Sequence, residues 1–322
     1  MKYSDVIYGR AEKTLTIFVP WDCDNSCKFC TTKHEYNKIH SEEIVMKNLE
    51  NICTQLLFYI SSGFFTHIVF TGGEPFNNLS GLNQIIKTIK TADPTHKINI
   101  YINTTLSFKD SKLDDVLKWI LKNKNDINGI SISRPLGNGS FYKNEDAILQ
   151  TIEFGMKHGL DASSEIKKNK IPLFRLNAYV NGIETEIEIK KYLDKWTKKE
   201  NSGKYFFKEI SFRSDYTITT PETLHSFNDN FFKTIIGMKS LEYLGSTQCL
   251  VCHTDLFKDT DREGLVIYHR GIRTTSILFG KKLIINDFVM KQNGDVFWDW
   301  EGGVLTSVDK NKQILNELFK TT

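Results

Sequence analysis

The sequence of 322 residues has few cysteines, no long apolar run and little net charge. Six cysteines are too few for a disulfide scaffold. No stretch approaches the length of about 18 apolar residues that a membrane span needs, and charges stand near the N-terminus, where a signal peptide is apolar. The formal charge of +3 gives no sign of a nucleic-acid-binding surface. We therefore expect a globular cytoplasmic protein without a membrane or nucleic-acid partner.

Six segments rich in β-branched and aromatic residues have the length of strands. They are Thr14–Val19, His67–Thr71, Ile98–Asn103, Gly129–Ser133, Leu173–Val180 and Phe206–Phe212. Longer segments with helical spacing lie between them, namely Ser41–Ser62, Leu79–Thr91, Leu113–Asn123, Glu145–His158 and Glu184–Lys199. The alternation predicts parallel strands in βα units, arranged as a partial barrel or as an open doubly wound sheet.

The alternation stops after about Asp215. A helical stretch, Pro221–Tyr243, is followed by a cysteine pair. A hairpin is then predicted, because Leu283–Lys291 and Val296–Trp300 flank Asn293-Gly294, a strong turn signal. We predict two units, a core of residues 1–215 and a C-terminal α+β extension of residues 216–322.

Three cysteines, Cys23, Cys27 and Cys30, lie within eight positions in the loop after the first strand. Structural zinc normally takes four protein ligands, whereas a metal centre that performs chemistry keeps a position open. Three local thiolates with no fourth nearby fit the open kind. A zinc site completed by His34, or a set of inert thiols, is the alternative from spacing alone.

The pattern Cys23-x3-Cys27-x2-Cys30, with Phe29 before the last cysteine, resembles the signature of the radical SAM superfamily. The segment 71–75, Thr-Gly-Gly-Glu-Pro, resembles its glycine-rich segment that binds S-adenosylmethionine (SAM). The resemblance implies an α/β fold with a partial (β/α)6 TIM-like barrel, and a 4Fe-4S cluster whose fourth iron is chelated by SAM.

An enzyme of that superfamily, an oxidoreductase or lyase, cleaves SAM reductively to methionine and a 5'-deoxyadenosyl radical. The radical abstracts a hydrogen atom from substrate, which the resemblance leaves open as a small molecule, a nucleotide or a peptide. An electron donor such as flavodoxin or ferredoxin is the implied partner. Two other interpretations compete: a maturase that modifies a ribosomal peptide, and a non-enzymatic scaffold that binds zinc.

The resemblance also assigns residues that bind SAM. They are Phe29 near the adenine, Gly72, Gly73 and Glu74 after the second strand, Asn103 and Ser133 at later strand ends, and Arg175 and Arg213. The glycines permit close backbone approach, and Glu74 can accept hydrogen bonds from the SAM ammonium. Arg175 and Arg213 suit a carboxylate or a substrate anion. The alternative for each strand-end residue is an ordinary surface polar group.

Within the superfamily, the segment 174–177 followed by Asn181-Gly182-Ile183 resembles the cyclase of molybdenum-cofactor synthesis and its peptide-modifying relatives. Those proteins usually carry a second cluster. Cys249 and Cys252 match its first two ligands, but no later cysteine exists, and Thr16 replaces a substrate-binding arginine. Both departures weaken the assignment of a cyclase.

The cysteine pair has several interpretations: a degenerate cluster site holding a second metal, a zinc site completed by His253 and His269, a thiol that returns a hydrogen atom, or a buried pair. Acidic and aromatic residues also lie on or beside the predicted hairpin; they are Asp287, Trp298, Asp299, Trp300 and Glu301. They can line a substrate site, although two ordinary hairpin faces are the favoured interpretation.

Overall fold

The structure is a computed structural model. It describes residues 6–8, 13–23, 41–61, 63–95, 97–107, 112–136, 144–158, 160, 174–180, 182–197, 207–214, 221–248, 253–262, 264–270, 276–279, 282–285, 287–297 and 304–305. In these ranges no helix is long and apolar enough to cross a membrane.

Six parallel strands form the centre of a large sheet. After the short β1 (Val6–Tyr8) come β2 (Thr14–Phe18), β3 (His67–Thr71), β4 (Asn99–Thr104), β5 (Gly129–Ser133), β6 (Phe174–Val180) and β7 (Glu209–Ser214). The helices after β2 to β7 are α1 (Glu42–Ser61), α2 (Leu79–Ala92), α3 (Leu113–Asn123), α4 (Glu145–Lys157), α5 (Glu186–Trp196) and α6 (Pro221–Gly237). Each strand pairs in parallel with the next, and the described strands do not close into a ring. The predicted α/β partial (β/α)6 barrel is confirmed.

Alternate residues of these strands face opposite sides. On one side, Ile68 and Ile100 join the same apolar cluster as Ile85 and Leu117 of the helices. The other side, which we call the inner face, carries polar residues of β4 to β7, and several of these are buried. The polar residues of the inner face are Asn103, Ser131, Ser133, Arg175, Asn177, Glu209, Ser211 and Arg213. Buried polar groups destabilise a fold unless they form hydrogen bonds, so the inner face is a candidate surface for binding a ligand.

The C-terminal strands extend the same sheet at both edges. Strands β8 (Leu241–Gln248), β9 (His253–Asp259) and β10 (Gly264–Arg270) are mutually antiparallel, and β10 lies parallel to β7. Strand β13 (Asp287–Met290) lies parallel to β2. Strands β11 (Ser276–Phe279) and β12 (Lys282–Ile285) form a small separate sheet with β1. The boundary at residue 215 stays a prediction, although strand pairing continues across it.

Two predicted elements of this extension differ in the structure. The helix expected through Tyr243 ends at Gly237, because the segment Leu241–Gln248 pairs with β9, with one irregularity between Tyr243 and Gly245. The hairpin around Asn293-Gly294 is confirmed, with β13 paired to β14 (Val296–Phe297), and β14 pairs in turn with β15 (Val304–Leu305). Its first strand is shorter than predicted because Lys282–Ile285 pairs in the other sheet.

Candidate active site

The chain leading to Cys23 is fixed to the turn that follows β3. Trp21 Nε1 donates to the Glu74 carbonyl oxygen (2.9 Å), and Asn77 Nδ2 donates to the Asp22 carbonyl oxygen (3.0 Å). The Trp21 ring lies against Gly81, where an added Cβ would be only 2.7 Å from Trp21 Cζ3. Cys23 itself is half-buried. The first predicted metal ligand thus begins its loop beside the predicted SAM-binding turn, whereas Cys27, Cys30, Phe29 and His34 lie outside the described residues.

The turn itself depends on two glycines. Gly72 and Gly73 have φ values of +63° and +55°, in the left-handed region. A side chain at such a φ costs about 1–2 kcal/mol, so the pair is favoured for its backbone conformation. Pro75–Asn77 then forms one 3-10 turn before α2 begins, capped by the side chain of Asn78. The backbone of this turn is what the structure offers to a ligand at the carboxyl end of β3.

The carboxylate of Glu74 points into the protein and is fully buried. Its Oε1 accepts from Thr104 Oγ1 (2.6 Å) and Phe76 N (3.3 Å), and its Oε2 accepts from Thr105 N (2.9 Å) and Thr105 Oγ1 (2.8 Å). Burial raises the pKa of Glu74 above its ordinary value, and this effect exceeds the opposite effect of the four hydrogen bonds. A carboxylate has about four acceptor positions, so the predicted hydrogen bond from the SAM ammonium would have to displace one of these donors.

A second buried hub, Asn144, joins the ends of β4 and β5. Its Nδ2 donates to the Ser133 carbonyl oxygen (3.1 Å) and to the Thr105 carbonyl oxygen, and its Oδ1 accepts from Arg134 Nη1 (3.0 Å). Arg134 also forms an ion pair with Glu145 (3.2 Å), so its guanidinium has a structural role. Sequence reasoning missed Asn144. Its position directly before a helix was the available signal, and that signal indicates only a helix cap.

The predicted strand-end residues lie in registered rows on the inner face. One row pairs Asn103 with Ser131 and Ser131 with Arg175. The next row joins Ser133, Asn177 and Ser211 across β5, β6 and β7. Arg213 lies further along β7. The structure therefore brings Asn103, Ser133, Arg175 and Arg213 onto one face. Asn103, Ser133 and Arg213 lie at or near the carboxyl ends of their strands, whereas Arg175 is the second residue of β6.

The two predicted arginines differ in their surroundings. Arg175 Nη1 pairs with Glu209 Oε1 (3.4 Å), and its guanidinium lies over the Tyr101 ring at 5.3 Å. Arg213 has no carboxylate within 4 Å among the residues that the structure describes. Its Nε is buried without a hydrogen bond there, and so are Asn177 Oδ1 and Ser211 Oγ. Arg175 thus has a carboxylate partner and Arg213 has none in the described ranges, although Arg175 Nε is also buried without a hydrogen bond there.

The predicted zinc site at His253 and His269 is wrong for a single ion. Arg270 pairs across the strands with His253, and Thr254 pairs with His269, so the two imidazoles lie on opposite faces of the sheet. His253 Nε2 instead contacts Asp255 Oδ1 (3.1 Å). No group of three potential metal ligands occurs in the described ranges. Cys249, Cys252, residues 298–301 and the side chain of Asp287 lie outside the described part.

Comparisons with known proteins agree with this architecture. Residues 11–127, roughly a third of the chain, match the family described as a 4Fe-4S single cluster domain. The sequence matches none of the curated proteins. Among solved structures, polyhistidine-tagged anSMEcpe with bound AdoMet is similar with a TM-score of 0.55 at 16% identity, over 96% of this chain and 80% of that chain.

Two further structures are similar at a lower level. Native anSMEcpe with bound AdoMet and Cp18Cys peptide has a TM-score of 0.44 at 16% identity, over 70% of this chain and 60% of that chain. The FeFe-hydrogenase maturase HydG from Carboxydothermus hydrogenoformans has a TM-score of 0.40 at 15% identity, over 70% and 51%.

The fold and the match to a cluster domain are the two findings that bear on the class of protein. The matched segment contains Cys23, Cys27, Cys30 and the glycine turn, and the barrel strands carry the polar inner face. Both findings agree with the predicted resemblance to the radical SAM superfamily and with the expectation of an enzyme of that class.

Proposed function

We propose that this protein cleaves SAM reductively at a 4Fe-4S cluster and uses the resulting 5'-deoxyadenosyl radical to abstract hydrogen from a substrate. The observation that carries the proposal is the attachment of the Cys23 segment to the glycine turn through Trp21 and Asn77. It sets the start of a three-cysteine loop beside a ligand-accessible backbone at the carboxyl ends of adjacent parallel strands. That edge is where α/β barrels place their chemistry.

The residues present fit the two cofactors. Cys23, Cys27 and Cys30 would hold three irons as thiolates, and the cluster supplies the electron that cleaves SAM. The left-handed backbone at Gly72 and Gly73 permits the close approach that a bound molecule needs. The AdoMet bound in the similar fold of anSMEcpe supports SAM as the ligand.

The chain's own residues supply orientation and exclusion of water. Glu74 and Asn144 hold the ends of β3, β4 and β5 in one arrangement, because their buried side chains connect these ends by hydrogen bonds. Asn103 and Ser133 then present an amide and a hydroxyl to SAM from the inner face. Phe29 would lie near the adenine, and Arg175 and Arg213 are the proposed contacts for a carboxylate, either that of SAM or that of a substrate anion. Radical chemistry needs such a closed and ordered site, since water and stray groups quench the radical.

The substrate is proposed only as a class, a small molecule, nucleotide or peptide, and the enzyme as an oxidoreductase or lyase. Flavodoxin or ferredoxin is the proposed electron donor, and the cytoplasm is the proposed location, because free thiols persist there. A second metal at Cys249 and Cys252 stays a prediction. Two cysteines alone do not complete a cluster, and His253 and His269 cannot jointly supply the remaining ligands.

The proposal is tested by anaerobic reconstitution with iron and sulfide, followed by reduction with dithionite in the presence of SAM. We expect a brown protein with about four irons per chain and formation of 5'-deoxyadenosine, measured by chromatography. Cys27→Ala is expected to lose both the colour and the product. Cys53→Ala is the matched control, because Cys53 lies on α1, packed against the apolar core.

Two results would contradict the proposal. A colourless protein containing zinc would favour the scaffold interpretation. A brown protein that forms no 5'-deoxyadenosine would retain the cluster but refute the reaction. More than four irons per chain, with the excess lost in Cys249→Ala, would instead support a second cluster.

A further inference from the structure

The inner face of β6 and β7 carries buried polar atoms that have no hydrogen-bond partner in the part of the chain that the structure describes. Asn177 is 5% exposed and Ser211 is 1% exposed, and they are registered neighbours on adjacent strands. Asn177 Oδ1, Ser211 Oγ and Arg213 Nε have no hydrogen-bond partner among the described residues. An unsatisfied buried polar atom is costly, and three close together are seldom explained by packing alone. They indicate a ligand.

The charge of this group is positive. Arg213 has no carboxylate within 4 Å in the described ranges, whereas the nearby Arg175 is paired with Glu209 at 3.4 Å. His269, on the neighbouring strand β10, is the registered partner of Arg213 and faces the same side. The arginine N–H and the hydroxyl of Ser211 are donors suited to a carboxylate or phosphate group, whereas Asn177 Oδ1 is an acceptor that needs an N–H or O–H of a ligand.

The position of the group favours substrate over SAM. Strand β7 is four strands from β3, which corresponds to roughly 19 Å along the sheet at about 4.8 Å per strand. The cluster loop and the glycine turn lie at β2 and β3, so the proposed cofactors occupy the opposite wall of the partial barrel. A molecule placed between the walls meets SAM on one side and Arg213 on the other.

We infer that Arg213 and Ser211 form a subsite for an anionic group of the substrate, a carboxylate or a phosphate, and that Asn177 Oδ1 beside them accepts a hydrogen bond from an N–H or O–H of the same molecule. This inference rests on the proposed function, because it takes the site at β2 and β3 as the place of SAM. It narrows the substrate to molecules that carry such an anion at one end and the reacting C–H bond at the other.

The test measures binding of inorganic phosphate and of succinate to the reconstituted full-length protein by calorimetry, with SAM present. Binding of one of the two, weakened roughly tenfold or more in Arg213→Gln, would support the subsite, and the preferred probe identifies the anion class. Lys258→Gln is the matched control. It removes a positive charge from an exposed residue of β9 on the same face of the sheet.

Three outcomes would overturn the inference. They are no binding of either anion to the wild-type protein, an equal loss in Lys258→Gln, and a loss of SAM affinity in Arg213→Gln as large as the loss of anion affinity. The last would assign Arg213 to the methionyl carboxylate. Arg213→Lys keeps the charge and controls for folding of the variant. Wild-type 5'-deoxyadenosine formation is measured on the same preparation, and its absence would refute the proposed function without altering the anion-binding result.

Discussion

Replacement of Thr104 by valine removes one hydroxyl from the centre of the site with almost no change of shape. Thr104 is 2% exposed; its hydroxyl donates to Glu74 Oε1 (2.6 Å) and accepts from Leu106 N (2.9 Å). A hydrogen bond to a charged group contributes about 1.5–3 kcal/mol, and a buried N–H left without an acceptor costs about 1–3 kcal/mol. We expect Thr104→Val to lower the free energy of unfolding by about 3 kcal/mol or more.

The backbone of Leu106 makes the loss of stability in Thr104→Val larger than that expected for one lost hydrogen bond. It has φ of +52°, the one positive value for a non-glycine residue in the described ranges, and it is buried. This conformation costs about 1–2 kcal/mol, and the bond from its N–H to Thr104 helps to hold it. Without that bond the chain after β4 is expected to relax, and the glycine turn held by Glu74 should loosen with it.

The assay is urea unfolding of the reconstituted protein together with SAM binding by equilibrium dialysis. A change of about 3 kcal/mol moves the urea midpoint by about 1 M for a protein whose slope is near 3 kcal/mol/M. Thr104→Ser is the matched control, because it keeps the hydroxyl and loses one methyl group, worth about 1 kcal/mol. Equal stability and equal SAM affinity of the two variants would refute the reasoning, since only the valine breaks the hydrogen bonds.

Four further predictions concern Glu74, Trp21, Gly182 and Ser211. Burial raises the pKa of Glu74, so the folded protein loses stability as this carboxyl ionises. We therefore expect the difference in unfolding free energy between the wild type and Glu74→Gln to shrink as the pH rises from 4.5 through the folded-state pKa. A difference that grows over this range would contradict the prediction. Trp21→Phe, which loses the bond to the Glu74 carbonyl, is expected to cost about 1 kcal/mol and to weaken SAM binding in dialysis. Gly182→Ala is expected to lower the melting temperature by several degrees, because φ is +79° and the new Cβ would lie 2.5 Å from backbone of α6, whereas Gly237→Ala meets nothing within 4 Å and should not. Ser211→Ala is expected to leave urea stability unchanged or raised, because the lost hydroxyl has no partner among the described residues; a fall of more than about 1 kcal/mol would contradict this.

The central fold was predictable because its signals are local. Each parallel strand is a short apolar run rich in β-branched residues, and α3 begins and ends where the spacing predicts. The extension was less predictable. The residues of Leu241–Gln248 carry no strong strand pattern, and their conformation is decided by pairing with β9, a partner that local sequence does not indicate. The order of the edge strands was equally hidden, since β10 and β13 join opposite edges of the sheet.

The candidate site likewise has parts that local sequence predicts and parts that it does not. Motifs located Cys23 and the glycine turn, and the rule that parallel strands share one edge located Ser133 and Arg213. Motifs do not predict in which direction a side chain points. The Glu74 carboxylate turns inward to Thr104 rather than outward, a choice made by donors about thirty residues away that no spacing rule connects to it.

The two halves of the site therefore differ in what they can still bind with side chains. On the side of β3 and β4, the buried acceptors of Glu74 are filled, so this side is rigid and offers mainly backbone to a ligand. On the side of β6 and β7, Asn177 and Ser211 keep buried polar atoms without partners among the described residues. An enzyme that generates the same radical for any substrate needs its invariant contacts on rigid backbone and its specificity in adaptable side chains. Under the proposed function, this distribution among the described residues leads us to expect that side chains of β6 and β7 decide which substrate binds.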